Sequence, residues 1–162
     1  MKRLYERVSA TGSIDRLDPV VRSAIVEHAE ANQLGDVLAS ATAVCETRSV
    51  RLQRNGVLAR ITRSPDPDRE HRSVAVLTPG CILIAVAGDQ RGLQVRSARL
   101  ADISLGPDIA LVADFGANVV GRWSGETAEQ AASAFYLGLG DDPAGRAFLA
   151  CLRDAVTNAK AG

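Results

Sequence analysis

At 162 residues, with 46% hydrophobic and 23% charged content, the chain is long enough to bury one core and too apolar to stay unfolded along its length. Nineteen Lys and Arg balance nineteen Asp and Glu. No whole-molecule field therefore draws the chain to nucleic acid or to an anionic membrane, and any such contact needs a local patch. The 4% aromatic content calls for a core of aliphatic residues and alanine. No run approaches the roughly 18 apolar residues of a membrane span.

The first 13 residues carry Lys2, Arg3, Glu6 and Arg7 and lack the uninterrupted apolar stretch of a signal peptide. Three cysteines, Cys45, Cys81 and Cys151, are far apart with no CxxC spacing. They read as buried free thiols of a reducing, cytoplasmic protein, and neither a metal nor a cofactor is expected.

In chain order, Asp18 followed by Pro19 is a helix start, a capping carboxylate with proline at the first helical position. The predicted helix spans residues 18–33, with Val21, Ala24, Ile25, His28 and Ala29 on one side. A short helical turn is expected at 36–40, and residues 1–43 form an N-terminal helical extension to a domain at 44–162. Asn55-Gly56 between two alternating runs asks for a two-residue hairpin. Its register would set Arg54 opposite Val57, Leu52 opposite Ala59 and Val50 opposite Ile61 on an apolar face. Arg51 opposite Arg60 and Ser49 opposite Thr62 would form a polar face.

Residues 64–72 read as a polar, proline-broken tip. Strands are then expected at 73–77 and 81–87 around Thr78-Pro79-Gly80, at 93–97, at 109–115, and at 119–124 after a turn at 116–118. That makes seven short strands, a barrel or sandwich rather than a parallel sheet. Ala128, Ala131, Ala132, Phe135 and Leu139 share a helical face, Gly138 and Gly140 stop it, and Asp141-Asp142-Pro143 restart a helix carrying Phe148, Leu152, Ala155 and Val156.

Seven strands followed by a closing helix resembles the pleckstrin-homology-like barrel. The run Val74-Ala75-Val76-Leu77-Thr78-Pro79-Gly80-Cys81-Ile82-Leu83-Ile84 is similar to the third and fourth strands of the bacterial branch of that superfamily. Leu100-Ala101-Asp102-Ile103 resembles the segment after its fifth strand, and Gly121-Arg122-Trp123-Ser124 with the following helix resembles its last strand and capping helix. The resemblance covers roughly residues 44–139. It implies an α+β fold, a seven-stranded antiparallel barrel or sandwich closed by a C-terminal helix split in two, with an extra N-terminal helix.

Lipid-binding members of that superfamily grip phosphoinositides with bases on the first two strands. The resemblance therefore implies an anion site at Arg51 and Arg60, with Arg48, Arg54 and Arg63 nearby. Thr62 stands where a further base is expected, and the two-residue turn is tight for a phosphate. The alternative for these residues is a solvated Arg face neutralised by Glu46 or by water.

Elsewhere, His28 reads as a helix residue packed on a neighbour, His71 as an exposed loop residue, and neither as catalytic. Asp66, Asp68 and Glu70 alternate, but Pro67 and the missing glycine of a calcium loop make them a solvated acidic tip. Trp123 reads as core. No phosphate-loop pattern supports nucleotide binding. The expectation is a non-enzymatic module for protein association, including self-association as a homodimer through a strand edge and the first helix, with anionic-lipid binding the alternative.

Overall fold

In the computed structural model, which describes residues 3–52, 67–106, 113–124 and 132–162, local chemistry sets the first helix as expected. The Asp18 carboxylate accepts the amides of Val20 at 2.9 Å and Val21 at 3.3 Å. This cap opens α1 (Pro19–Ala31). Asp36 likewise caps the short α2 (Val37–Ser40) through the Ala39 amide.

The described residues form two antiparallel sheets and a C-terminal helix, an α+β arrangement. The first sheet runs in chain order: β1 (Tyr5–Thr11), β2 (Ala43–Arg51), β3 (Glu70–Leu77), β4 (Cys81–Gly88) and β5 (Gly92–Arg99). The second holds β6 (Ser104–Gly106), β7 (Gly116–Gly121) and β8 (Ser133–Gly138). Helix α3 (Pro143–Ala161) packs against β1, β2, β7 and the 3-10 turn at Leu100–Asp102.

Because side chains alternate across a strand, the first sheet has two buried faces. One carries Cys45, Ala75, Ile84 and Ala98 against Val119, Leu137, Trp123 and the Phe148, Leu152 and Val156 stripe of α3. The other carries Val44, Val74, Val76, Leu83 and Ala85 against Ile25 and Ala29 of α1 and Val37 of α2. The central β3 and β4 are therefore apolar on both sides, which explains the unbroken run Val74 to Leu77 and Cys81 to Val86. Thr78 joins them, its Oγ1 accepting the amides of Gly80 at 3.3 Å and Cys81 at 3.1 Å.

Several expectations need correction. Tyr5–Thr11 is a strand paired along β2, where the sequence suggested none. Gly116 to Asn118 belong to β7 rather than to a turn, and 113–115 are not strand. Ser133–Gly138 is β8 where the first half of a split capping helix was expected, residues 125–131 lie outside the described residues, and α3 is the C-terminal helix among the described ones. Those residues carry eight strands, and no ladder joins the two sheets into a closed barrel. Cys45 and Cys81 are buried as expected, but Cys151 is exposed on α3. Trp123 is buried, its ring edge-on to Phe135 at 5.5 Å.

Candidate functional site

Of the basic residues expected at an anion site, the two that are described, Arg48 and Arg51, do not share a face. Arg54, Arg60 and Arg63, with the Asn55-Gly56 hairpin, lie outside the described residues. Arg48 and Arg51 are three positions apart on β2, and an odd separation on a strand sends side chains to opposite faces. Arg48 stands on the outer face, where its guanidinium donates to both Glu70 carboxylate oxygens at 2.6 and 2.9 Å. That fork-to-fork pairing, diagonal across β2 and β3, supplies the neutralising acid that had been assigned to Glu46.

The register departs as well. Ser49 and Val50 were expected opposite Thr62 and Ile61, yet both edges of β2 are filled there. Ser49 pairs Arg7 and His71, and Val50 pairs Glu6 and Glu70. The adjoining groove, about 470 Å³, sets Glu70 and Asp89 against Arg72 and is not a basic site.

Of the acids expected in a solvated tip, Asp66 lies outside the described residues, and the other two are each engaged. Glu70 is engaged by Arg48, and Asp68 is buried, accepting the amides of Gln90 at 2.7 Å and Arg91 at 3.3 Å and the Arg91 Nε at 2.9 Å. It thereby fixes the β4–β5 turn, in which Gly92 adopts φ +69. His71, expected on a loop, lies on β3 with its ring edge-on to Tyr5 at 5.6 Å.

The first sheet has two edge strands, and the chain treats them differently. On β1, the bonds Gly12 N to Val44 O and Leu52 N to Leu4 O fix the even residues toward β2. Tyr5, Arg7 and Ser9 therefore aim their amides outward. Carboxylates meet two of them: Asp114 accepts from Leu4 at 3.1 Å and Tyr5 at 3.4 Å, and Asp142 accepts from Ser9 at 2.8 Å. Beside them Arg7 forms a buried ion pair with Asp114 at 3.2 Å, with side chains 8% and 2% exposed. The Arg7 Nε donates to Ser49 Oγ, and its guanidinium lies over the Tyr5 ring. A Cβ on Gly138 of β8 would strike that guanidinium, so a larger residue there requires Arg7 to shift.

A second polar thread continues inward. Ser9 Oγ and Thr47 Oγ1 lie 2.7 Å apart, and the Gly140 amide donates to Ser9 Oγ at 2.8 Å. Burial next to them pushes the Cys45 thiol pKa up and keeps it protonated. The seam between β1 and β8 is thus closed by side chains instead of a ladder. These residues escaped the sequence reading, and their only signal was polar residues at alternating positions Tyr5, Arg7 and Ser9.

On β5, the bond from Leu100 N to Gly80 O sets the even residues toward β4, so Leu93, Val95, Ser97 and Arg99 face outward. Ser124 occupies the position beside Ser97, its Oγ accepting the Ser97 amide at 3.0 Å and its amide donating to the Ser97 carbonyl at 2.9 Å. No hydrogen-bond partner among the described residues lies outside Leu93 or Val95. Those two residues present two N–H and two C=O groups, an open row that another strand can extend.

His28 of α1 packs on this strand, as its helical position suggested, with Nε2 2.9 Å from Ser97 Oγ. Desolvation lowers its pKa, and desolvation followed by the Arg7 charge lowers that of His71. Both imidazoles are therefore held neutral relative to the unfolded chain. With folded values below the usual 6.5, unfolding takes up protons, so stability is full above about pH 6.5 and falls as pH drops below it. Urea unfolding at pH 7.5 and 5.5 should show a lower midpoint at pH 5.5, and H28Q with H71Q should flatten the difference; an unchanged slope in that double variant refutes the assignment.

No group of three or more His, Cys, Asp or Glu among the described residues could hold a metal ion. No helix among them is long and apolar enough to cross a membrane. Comparison with protein-family models, with curated proteins and with solved structures returns no match for this chain.

Proposed function

We propose that this chain is a non-catalytic protein-association module of pleckstrin-homology-like fold that takes a partner strand along the outer edge of β5. The observation that carries the reading is the contrast between the two edges of one sheet. Asp114 and Asp142 occupy the outward amides of Tyr5 and Ser9 on β1, whereas those of Leu93 and Val95 meet no partner among the described residues. An open edge invites indiscriminate pairing unless it serves a partner, and strand addition is a recurrent mode of peptide recognition. The fold assignment rests on the order of an antiparallel five-stranded sheet, an antiparallel three-stranded sheet and a C-terminal helix.

Val95→Pro tests the site, because it removes an outward N–H while breaking no bond to β4, and proline is tolerated on an edge strand. Ten-residue peptides selected on the wild-type protein by phage display should bind V95P roughly tenfold more weakly, the loss of one or two strand hydrogen bonds. Peptides that bind both proteins equally, or a selection without enrichment, would sink the reading.

A further inference from the structure

We infer that the strand taken up by β5 is β5 of a second copy, in an antiparallel two-fold pairing centred on Gln94. The inference rests on β5 being the docking edge and adds the identity of its occupant. The open stretch is short, bounded at one end by Ser97, which Ser124 already bonds on both backbone groups, and at the other by the β4–β5 turn held by Asp68. Within those limits its chemistry is symmetric about one residue: Leu93 and Val95, both half-buried, flank the exposed Gln94.

In an antiparallel pair, hydrogen-bonded and non-hydrogen-bonded positions alternate. Centring the axis on Gln94 makes Leu93 opposite the second copy's Val95 a hydrogen-bonded pair, and the reverse pair its equivalent, so every open N–H and C=O of the two stretches is satisfied. Gln94 then meets its own copy at the close, non-hydrogen-bonded position, where two side-chain amides can bond each other. Arg96 falls opposite Gly92 rather than opposite another Arg96, so no like charges face each other.

The helix above the strand agrees with the same axis. Helix α1 packs along β4 and β5, and the His28 contact with Ser97 marks the side of the helix over β5. The opposite flank, with Val26 and Glu30, lines the groove shared with α2. Helical spacing puts Ala24 beside His28 on the β5 flank, while Val20 and Ala31 lie farther round, toward the side opposite the buried Ile25 and Ala29. A two-fold axis perpendicular to the sheet keeps both copies of α1 on one face and turns the flanks that carry His28 and Ala24 toward each other.

The test is disulfide trapping of the full chain. Gln94→Cys is introduced with Cys151→Ser, which removes the exposed native thiol. At the centre of the axis the two new Cβ atoms stand about 4.5–5.5 Å apart, close to disulfide reach. Mild oxidation should convert Q94C to a covalent dimer, leave Arg99→Cys on the same strand monomeric, and trap at least tenfold less dimer when Val95→Pro is added. Sedimentation of the unmodified protein should show a concentration-dependent monomer–dimer equilibrium that V95P shifts to monomer. Monomer at every concentration, or equal trapping at 94 and 99, overturns the inference. If peptides selected on the wild type still lose binding to V95P in that case, the docking edge stands and its occupant is another protein; if they do not, both fail.

Discussion

Asp114→Ala is expected to destabilise the chain by about 3–5 kcal/mol, the cost of leaving one member of a buried ion pair behind. The Arg7 guanidinium has little recourse to water, with 8% of its side chain exposed. It would retain only Ser49 Oγ and the faces of Tyr5 and Tyr136. The same substitution removes the acceptor of the Leu4 and Tyr5 amides. Asp114→Asn should lose less, since an amide oxygen still accepts from Leu4. Arg7→Met with Asp114→Leu should recover most of the loss, because an apolar pair incurs no desolvation of charge. Urea midpoints of the four proteins decide it. A loss below about 1 kcal/mol for Asp114→Ala would mean that the pair behaves as a solvated surface bridge.

The next largest effect is expected at Asp142, whose two carboxylate oxygens serve different elements. Oδ1 caps α3 by accepting from Gly145 N at 2.8 Å, and Oδ2 accepts from Ser9 N on β1 at 2.8 Å. Asp142→Ala removes a helix cap worth about 0.5–2 kcal/mol and strands the Ser9 amide at about 1–3 kcal/mol, a combined loss of roughly 2–4 kcal/mol. Asp142→Asn keeps one acceptor oxygen and should lose about half as much. Gly145→Ala gives an independent check with an unusual sign. Alanine gains about 1 kcal/mol of helix propensity over glycine, yet its Cβ would stand against the Gly140 carbonyl. Thermal melts should rank G145A below wild type, and a higher midpoint would show that the Gly140 segment gives way.

What could be read in the sequence was what neighbouring residues decide among themselves. Asp18 with Pro19, Asp36 before Val37, Thr78-Pro79-Gly80 and Asp142 with Pro143 each carry their own hydrogen bonds or fixed φ, and each stands where expected. β1 was missed because its polarity is inverted. Val8 faces solvent at 58% exposure while Arg7 and Ser9 point inward, so alternation offers no apolar face to recognise. β8 was missed for the opposite reason. Ala132, Phe135 and Leu139 fit a helical spacing, and only pairing with β7, which puts Phe135 beside Val119 and Trp123, selects the strand.

The functional residues were less legible than the elements. Nothing local ties Arg7 to Asp114, and the Arg face drawn from residues 48 to 63 depended on a hairpin partner that β1 and β3 displace at Ser49 and Val50. The open edge of β5 is a property of strand order, which follows from which strands find partners. Leu93, Gln94 and Val95 carry no motif that would announce it.

The carboxylate seam along β1 also bears on the order in which the chain can mature. Leu4 and Asp114 are separated by 110 residues, and Ser9 and Asp142 by 133. Contacts of such span slow folding, because a long loop must close before they form. During synthesis β1 emerges well before Asp114 and Asp142, the two acids that accept its Tyr5 and Ser9 amides. Throughout that interval β1 is a bare edge, and a nascent chain stalled before Asp142 is a candidate for chaperone capture.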